Sequence, residues 1–171
     1  MKNVVFVAPF FAETTLRFVA AIARLQDVRT TLVSQDPAAK IPTELRALLD
    51  DHIRVSDALS ADGIAPALEQ VRRAGAIDRL IGTLEELQVP LGELRDRLGI
   101  HGMGAEAGRN FRDKSVMKTV LRAHGLPCAR HALAGSRAEA EAFAREVGFP
   151  LIVKPKEGSG SRGTYRLDTA D

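Results

Sequence analysis

The sequence predicts an α/β protein: a parallel sheet flanked by helices, then a smaller α+β region that ends in a hairpin. Three observations carry this. Short β-rich runs alternate with amphipathic stretches through the first hundred residues, the pattern of βαβ units around a parallel sheet. From Asp113 onward, helix start and stop signals follow one another closely. Finally, an apolar run leads through a glycine-rich segment into a second strand-like run.

The elements follow in order. Asn3–Pro9 (NVVFVAP) reads as a buried strand, and a helix is expected from Thr14 or Thr15 as N-cap. Its apolar positions Leu16, Val19, Ala20 and Ala23 keep the i, i+3, i+4, i+7 spacing of one helical face. Arg29–Ser34 is the second strand. PTELRALLDDHIRV holds a short helix and a strand at His52–Val55, Asp62–Ala74 is helical, and Ile77–Thr83 resembles another strand. Pro90–Leu98 supplies a last helix, and the small residues of His101–Gly108 (HGMGAEAG) read as a linker. The expected domains are therefore 1–104 and 105–171. In the second, Asp113 opens a helix with Met117, Val120 and Leu121 on its apolar face, stopped by Gly125 and Pro127. Cys128–Leu133 is strand-like. Ser136–Glu139 is a capping-box pattern for a helix facing inward through Ala140, Phe143, Ala144 and Val147, and Gly148 with Pro150 ends it. Leu151–Lys154 and Thr164–Leu167 then form a hairpin around the loop Glu157–Gly163.

Composition excludes several classes. With 45% hydrophobic and 27% charged residues in 171, the chain has enough apolar matter for a core, so disorder and fibrous repeats are poor readings. No apolar run approaches the roughly 18 residues of a membrane span, and MKNVVFVAPFFAET has no small-residue cleavage site; a cytoplasmic protein is expected. The single cysteine, Cys128, excludes disulfide scaffolds and thiolate clusters. A net charge of +2 makes no case for a nucleic-acid partner. The charge is unevenly spread, however: residues 1–104 carry 12 basic and 14 acidic side chains, residues 105–171 carry 12 and 8. Four of the six lysines, Lys114, Lys118, Lys154 and Lys156, fall in that positive part, which suits an anionic ligand.

Gly158, Gly160 and Gly163 spell G-x-G-x-x-G. A dinucleotide fingerprint would open a helix and be followed about 20 residues on by an acidic residue. Here TYRLDTAD follows, which is strand-like, and the first βα turn, APFFAETT, has no glycine. The loop therefore belongs to a hairpin, where backbone N–H groups can close over phosphate oxygens. Lys154 ends an apolar strand on the same face as Ile152, so its ammonium must leave the core or meet an anion. Lys114, at the start of a helix, adds a second cation. Solvation accounts for either lysine alone; their order, Lys114, capped helix, strand Lys154, glycine loop, is more specific.

Carrying that order, RDKSVMKTVLRAHGLPCARH followed by SRAEAEAFAREVGFPLIVKPKEGSGSRGT resembles the first half of an ATP-grasp fold, as in biotin carboxylases, carbamoyl-phosphate synthases and carboxylate–amine ligases. The α/β region before it, which has no glycine in its first βα turn, resembles the Rossmann-like preATP-grasp domain. The resemblance implies that Lys114 and Lys154 bind the α- and β-phosphates of ATP, with the loop as a lid in which Ser159, Gly160, Ser161 and Gly163 lie over the β- and γ-phosphates. It implies ATP as cofactor and, in the intact enzyme, a small carboxylate or amine substrate. It also implies that the Mg²⁺ ligands and the second ATP-grasp subdomain lie outside these 171 residues, so the chain is expected to be the front part of a ligase, inactive alone. No catalytic or metal-binding residue is assigned in it. An uncovered hairpin face would be relieved by self-association.

Other constellations are empty. His52, His101, His124 and His131 have no metal-ligand spacing, and no nucleophile elbow or Walker lysine is present. Glu85 and Glu86 follow the strand Ile77–Thr83, at the edge where α/β sheets meet ligands; they are candidate contacts to the acceptor substrate, and a solvated helix start accounts for them as well. Two rivals to the ligase reading stay open: a non-catalytic nucleotide- or partner-binding module, and an NAD(P)-dependent oxidoreductase.

Overall fold

The computed structural model describes residues 1–158 and 160–170, and the chain divides into two units, Met1–Gly108 and Arg109–Asp171. In the first, strands β1 (Lys2–Val7), β2 (Val28–Ser34), β3 (Asp51–Arg54) and β4 (Arg79–Ile81) form a parallel sheet in the order β3-β2-β1-β4. Val4 stands opposite Thr30 on one side and Arg79 on the other. Because side chains alternate across a strand, β1 feeds two cores. Val5 and Val7 meet Val33, Leu80, Ile64 and Leu68 of α3 (Ala61–Ala74), and Leu91 and Leu94 of α4 (Gln88–Leu98). Phe6 and Ala8 meet Leu32, Val19 of α1 (Glu13–Ala23), and Leu45 of α2 (Thr43–Arg46). A central strand covered on both faces has no place for polar alternation, so NVVFVAP reads as an unbroken apolar run. Each fully buried valine or leucine there contributes about 1.5–3 kcal/mol.

Three details depart from expectation in this unit. The helix α1 starts at Glu13 with Ala12 before it, and Thr15 is buried instead of capping. The fourth strand is shortened to Arg79–Ile81, the stretch that pairs with Val4–Phe6. The segment read as a linker is partly helical: α5 spans Ala105–Arg112, with Ala105 and Gly108 buried. A Cβ added at Gly92 of α4 would lie 2.6 Å from the backbone nitrogen of Ala105, and Asp96 Oδ2 accepts that N–H at 2.8 Å. The residues are small because two helices touch through them, not because the chain must bend.

The second unit contains α6 (Lys114–Ala123), α7 (Arg137–Val147) and an antiparallel hairpin of β5 (Leu151–Val153) and β6 (Tyr165–Leu167), paired as Leu151–Leu167 and Val153–Tyr165. The backbone N–H of Glu139 donates to Ser136 Oγ at 3.3 Å, so Ser136 caps the helix as read, while Glu139 Oε2 accepts from Gly135 N at 2.7 Å instead of from the cap residue's own N–H. Gly125 (φ 69°) and Gly148 (φ 78°) end the two helices in the left-handed region. Cys128–Leu133 forms no strand: the segment finds no ladder among the described residues, and the Cys128 thiol instead rests on the Lys118 carbonyl at 3.7 Å. No residue of α6 or α7 is fully buried, and Ile152, Val153, Tyr165 and Leu167 of the hairpin are all exposed. Among the described residues, no helix is long and apolar enough to cross a membrane.

Candidate functional site

The candidate site lies in the second unit and starts from the cap of α6. Asp113 has extended backbone, and its Oδ1 accepts the N–H groups of Ser115 at 2.9 Å and Val116 at 3.2 Å, satisfying donors that the first helical turn leaves open. The next residue, Lys114, is tied twice to the hairpin loop. Its backbone N–H donates to the Lys156 carbonyl at 3.0 Å, and its Nζ donates to the Gly158 carbonyl at 2.9 Å. Lys156 Nζ in turn donates to Asp113 Oδ2 at 3.1 Å and lies 3.3 Å from Glu157 Oε1.

Electrostatics follow from these contacts. Hydrogen bonding to Asp113, then to Glu157, holds the Lys156 ammonium above the usual lysine range. For Asp113, burial acts to raise the pKa, but hydrogen bonds from Val116 N, Lys156 and Ser115 N outweigh it, and the carboxyl lies below its ordinary value. Lys154 differs. It follows directly on β5 and is exposed, and among the described residues it has no hydrogen bond or ion pair.

Beyond Gly158 the loop turns through three residues of positive φ: Gly160 at 60°, Ser161 at 59° and Gly163 at 64°. The N–H of Thr164 donates to the Ser161 carbonyl at 3.2 Å. Gly163 is doubly constrained, since a Cβ there would also approach Pro155 Cγ to 3.2 Å. A non-glycine residue with positive φ is uncommon, and Ser161 is one of two such residues among those described, with Asp27. Ser159, expected in the lid, lies outside the described residues.

Lys114 and the loop are thus brought together, while Lys154 stands two residues before Lys156 on the strand side of the same loop. Glu85 and Glu86 lie in the first unit, exposed, on a 3-10 turn (Glu85–Leu87) that follows β4. Among the described residues no three His, Cys, Asp or Glu side chains come together as a metal site. Sequence reasoning took Asp113 only as the opener of a helix. Its ion pair with Lys156 joins positions 43 apart and becomes visible only in the fold, because neither segment names the other as its partner.

A hairpin loop with one lysine free among the described residues and another tethered follows an α/β unit that has no glycine in its first βα turn. Comparison with known proteins gives the class. The chain is 30% identical over 122 residues to an L-arginine-specific L-amino acid ligase of Bacillus subtilis, a match covering 71% of this chain and 30% of that protein. It is 41% identical over 70 residues to a D-alanine–D-alanine ligase of Ectopseudomonas mendocina, covering 41% of this chain and 22% of the ligase. Its fold matches the crystal structure of an L-amino acid ligase from Bacillus licheniformis with a TM-score of 0.74 at 17% identity, over 99% of this chain and 40% of that one. No protein-family model matches the chain. Its homologues are ATP-grasp ligases, and its fold is that of their N-terminal region. The chain spans less than half the length of the relatives it matches.

Proposed function

We propose that this chain is the phosphate-gripping front portion of an ATP-dependent carboxylate–amine ligase. Lys114 and Lys154 neutralise the α- and β-phosphates, and the loop with Ser159, Gly160, Ser161 and Gly163 covers the β- and γ-phosphates. The observation that carries the reading is Lys154, a cation with no hydrogen bond or ion pair among the described residues, two residues before Lys156 at the root of a loop that already holds Lys114. In the intact ligase a carboxylate oxygen attacks the γ-phosphorus, the bond to the β–γ bridging oxygen breaks, and ADP leaves. An amine then attacks the acyl carbon of the acyl phosphate and inorganic phosphate leaves. The part played by these residues is charge neutralisation and positioning. ATP-grasp ligases in general use ATP with Mg²⁺; the metal ligands are proposed to come from the portion of the ligase that this chain does not span. Glu85 and Glu86 are proposed contacts to the acceptor substrate, a small carboxylate or amine.

Isothermal titration tests the reading. The chain is expected to bind ATP weakly and NAD(P) not at all, and to hydrolyse no ATP with Mg²⁺. Preference for NAD(P) would instead mark an oxidoreductase, and binding of neither nucleotide a partner-binding module. Domains of 1–104 and 105–171 accompany this proposal, with the exposed hairpin face as the surface through which copies of the isolated chain associate.

A further inference from the structure

The three lysines around the loop stand in three electrostatic states. Lys154 has no partner among the described residues, Lys114 rests on a carbonyl, and Lys156 is shared between two carboxylates. Lys156 therefore already has its counter-charge. The division of labour within Asp113 is equally specific: Oδ1 takes the two helix N–H groups and Oδ2 takes the ammonium, so one carboxylate caps α6 and holds the loop root at once. Only 14% of the Asp113 side chain is exposed against 53% of that of Lys156, so the carboxylate end of the pair is shielded from water while the ammonium end stays half open. The backbone bond from Lys114 N to Lys156 O closes the clasp beside it.

We propose that Asp113 and Lys156 are positioning residues whose ion pair pins the root of the glycine loop to the N-terminus of α6 and thereby presents the Lys114 ammonium at Gly158, ready to exchange a carbonyl oxygen for a phosphate oxygen. This rests on the reading of Lys114 and Lys154 as phosphate cations. The competing role for Lys156 is a third direct phosphate cation. The two roles predict opposite signs at Asp113. If Lys156 bound phosphate directly, neutralising Asp113 would release it and remove a nearby negative charge, and anions would bind more tightly. If Lys156 pins the loop, neutralising Asp113 loosens the site and anions bind less tightly.

The test uses the 171-residue chain and tripolyphosphate, followed by amide chemical shifts, with hydrogen exchange of the Lys114 amide as second readout. Asp113→Asn keeps a capping oxygen and loses the charge; Lys156→Met keeps the aliphatic stem. Each is expected to weaken tripolyphosphate binding about fivefold and to speed Lys114 amide exchange by a similar factor. The double variant is expected to be no worse than either single one, the signature of one shared contact, and Lys156→Arg to restore both readouts. Tighter binding by Asp113→Asn with weaker binding by Lys156→Met would overturn the proposal, as would single variants that match the parent in both readouts. Should tripolyphosphate bind neither parent nor variants, the phosphate reading fails, and the exchange rate of the Lys114 amide still decides the tether: non-additive acceleration upholds it, an unchanged rate sinks it.

Discussion

Lys154 and Lys118 make a controlled pair at the scale of single residues. Lys154→Met in the complete ligase removes the proposed phosphate cation and keeps the aliphatic stem. It is expected to lower ATP-dependent kcat about 10²-fold or more while the thermal midpoint stays within about 2 °C. Lys118→Met, one helical turn beyond Lys114, should stay close to the parent in both; near-normal turnover by Lys154→Met would demote it to a surface residue. A second residue-scale expectation concerns His52. Ser34 is buried and spends its hydroxyl hydrogen on the Asp36 carbonyl at 2.7 Å, so the 2.7 Å contact to His52 Nε2 requires the ring nitrogen to donate. Burial, helped by Arg46 and Arg54 and opposed by Asp51, lowers the His52 pKa below 6.5. The folded state then binds the proton less readily than the unfolded one. Stability of the first unit is full above pH 6.5 and is lost as pH falls toward the folded value. Urea midpoints read on first-unit signals at pH 7.5 and 5.5 should therefore diverge in the parent and converge in His52→Gln. That Lys114 and Lys154 come to one loop could be read from their order in the sequence. The second duty of Asp113 could not, because it depends on which loop the fold delivers to a helix end.

At the scale of elements, legibility followed the strength of local signals. The strands β1 and β2 and the helices α3, α6 and α7 could be read because burial on a strand or one helical face, together with caps, leaves a pattern within a few residues. Cys128–Leu133 was misread because β-rich composition shows that a segment can pair, not that an edge is present to pair with. His101–Gly108 was misread because small residues serve two opposite ends, freedom of the backbone and close approach of two helices. Gly92→Ala separates these meanings. With only 2.6 Å between the added carbon and Ala105 N, it should cost about 1–3 kcal/mol in a denaturant titration. An unchanged midpoint would show that α5 simply moves aside. Ser136→Ala should remove the acceptor for the Glu139 N–H and cost α7 about 0.5–2 kcal/mol, read as faster exchange of its first-turn amides.

At the scale of the whole molecule, the two units differ in how thoroughly they bury what they contain. The first encloses its sheet between two cores; the second leaves Ile152, Val153, Tyr165 and Leu167 in solvent. Amide exchange is accordingly expected to be slow in β1 and fast in β5 and β6. Sedimentation of the isolated chain should show mass rising with concentration, and Ile152→Lys should suppress the rise. A concentration-independent monomer would refute association through the hairpin. The order β3-β2-β1-β4 also sets a timetable for synthesis. Of the four strands the first to be synthesised is the one that must sit between two others, and although Thr30 comes 26 residues after Val4, Arg79 comes 75 residues after it. Until then one edge of this apolar strand is open to misassociation in the nascent chain, and it is open before Lys114 and Lys154 have been translated. The clasp between Lys114 and Lys156 can close only after the residues of all four sheet strands have been made.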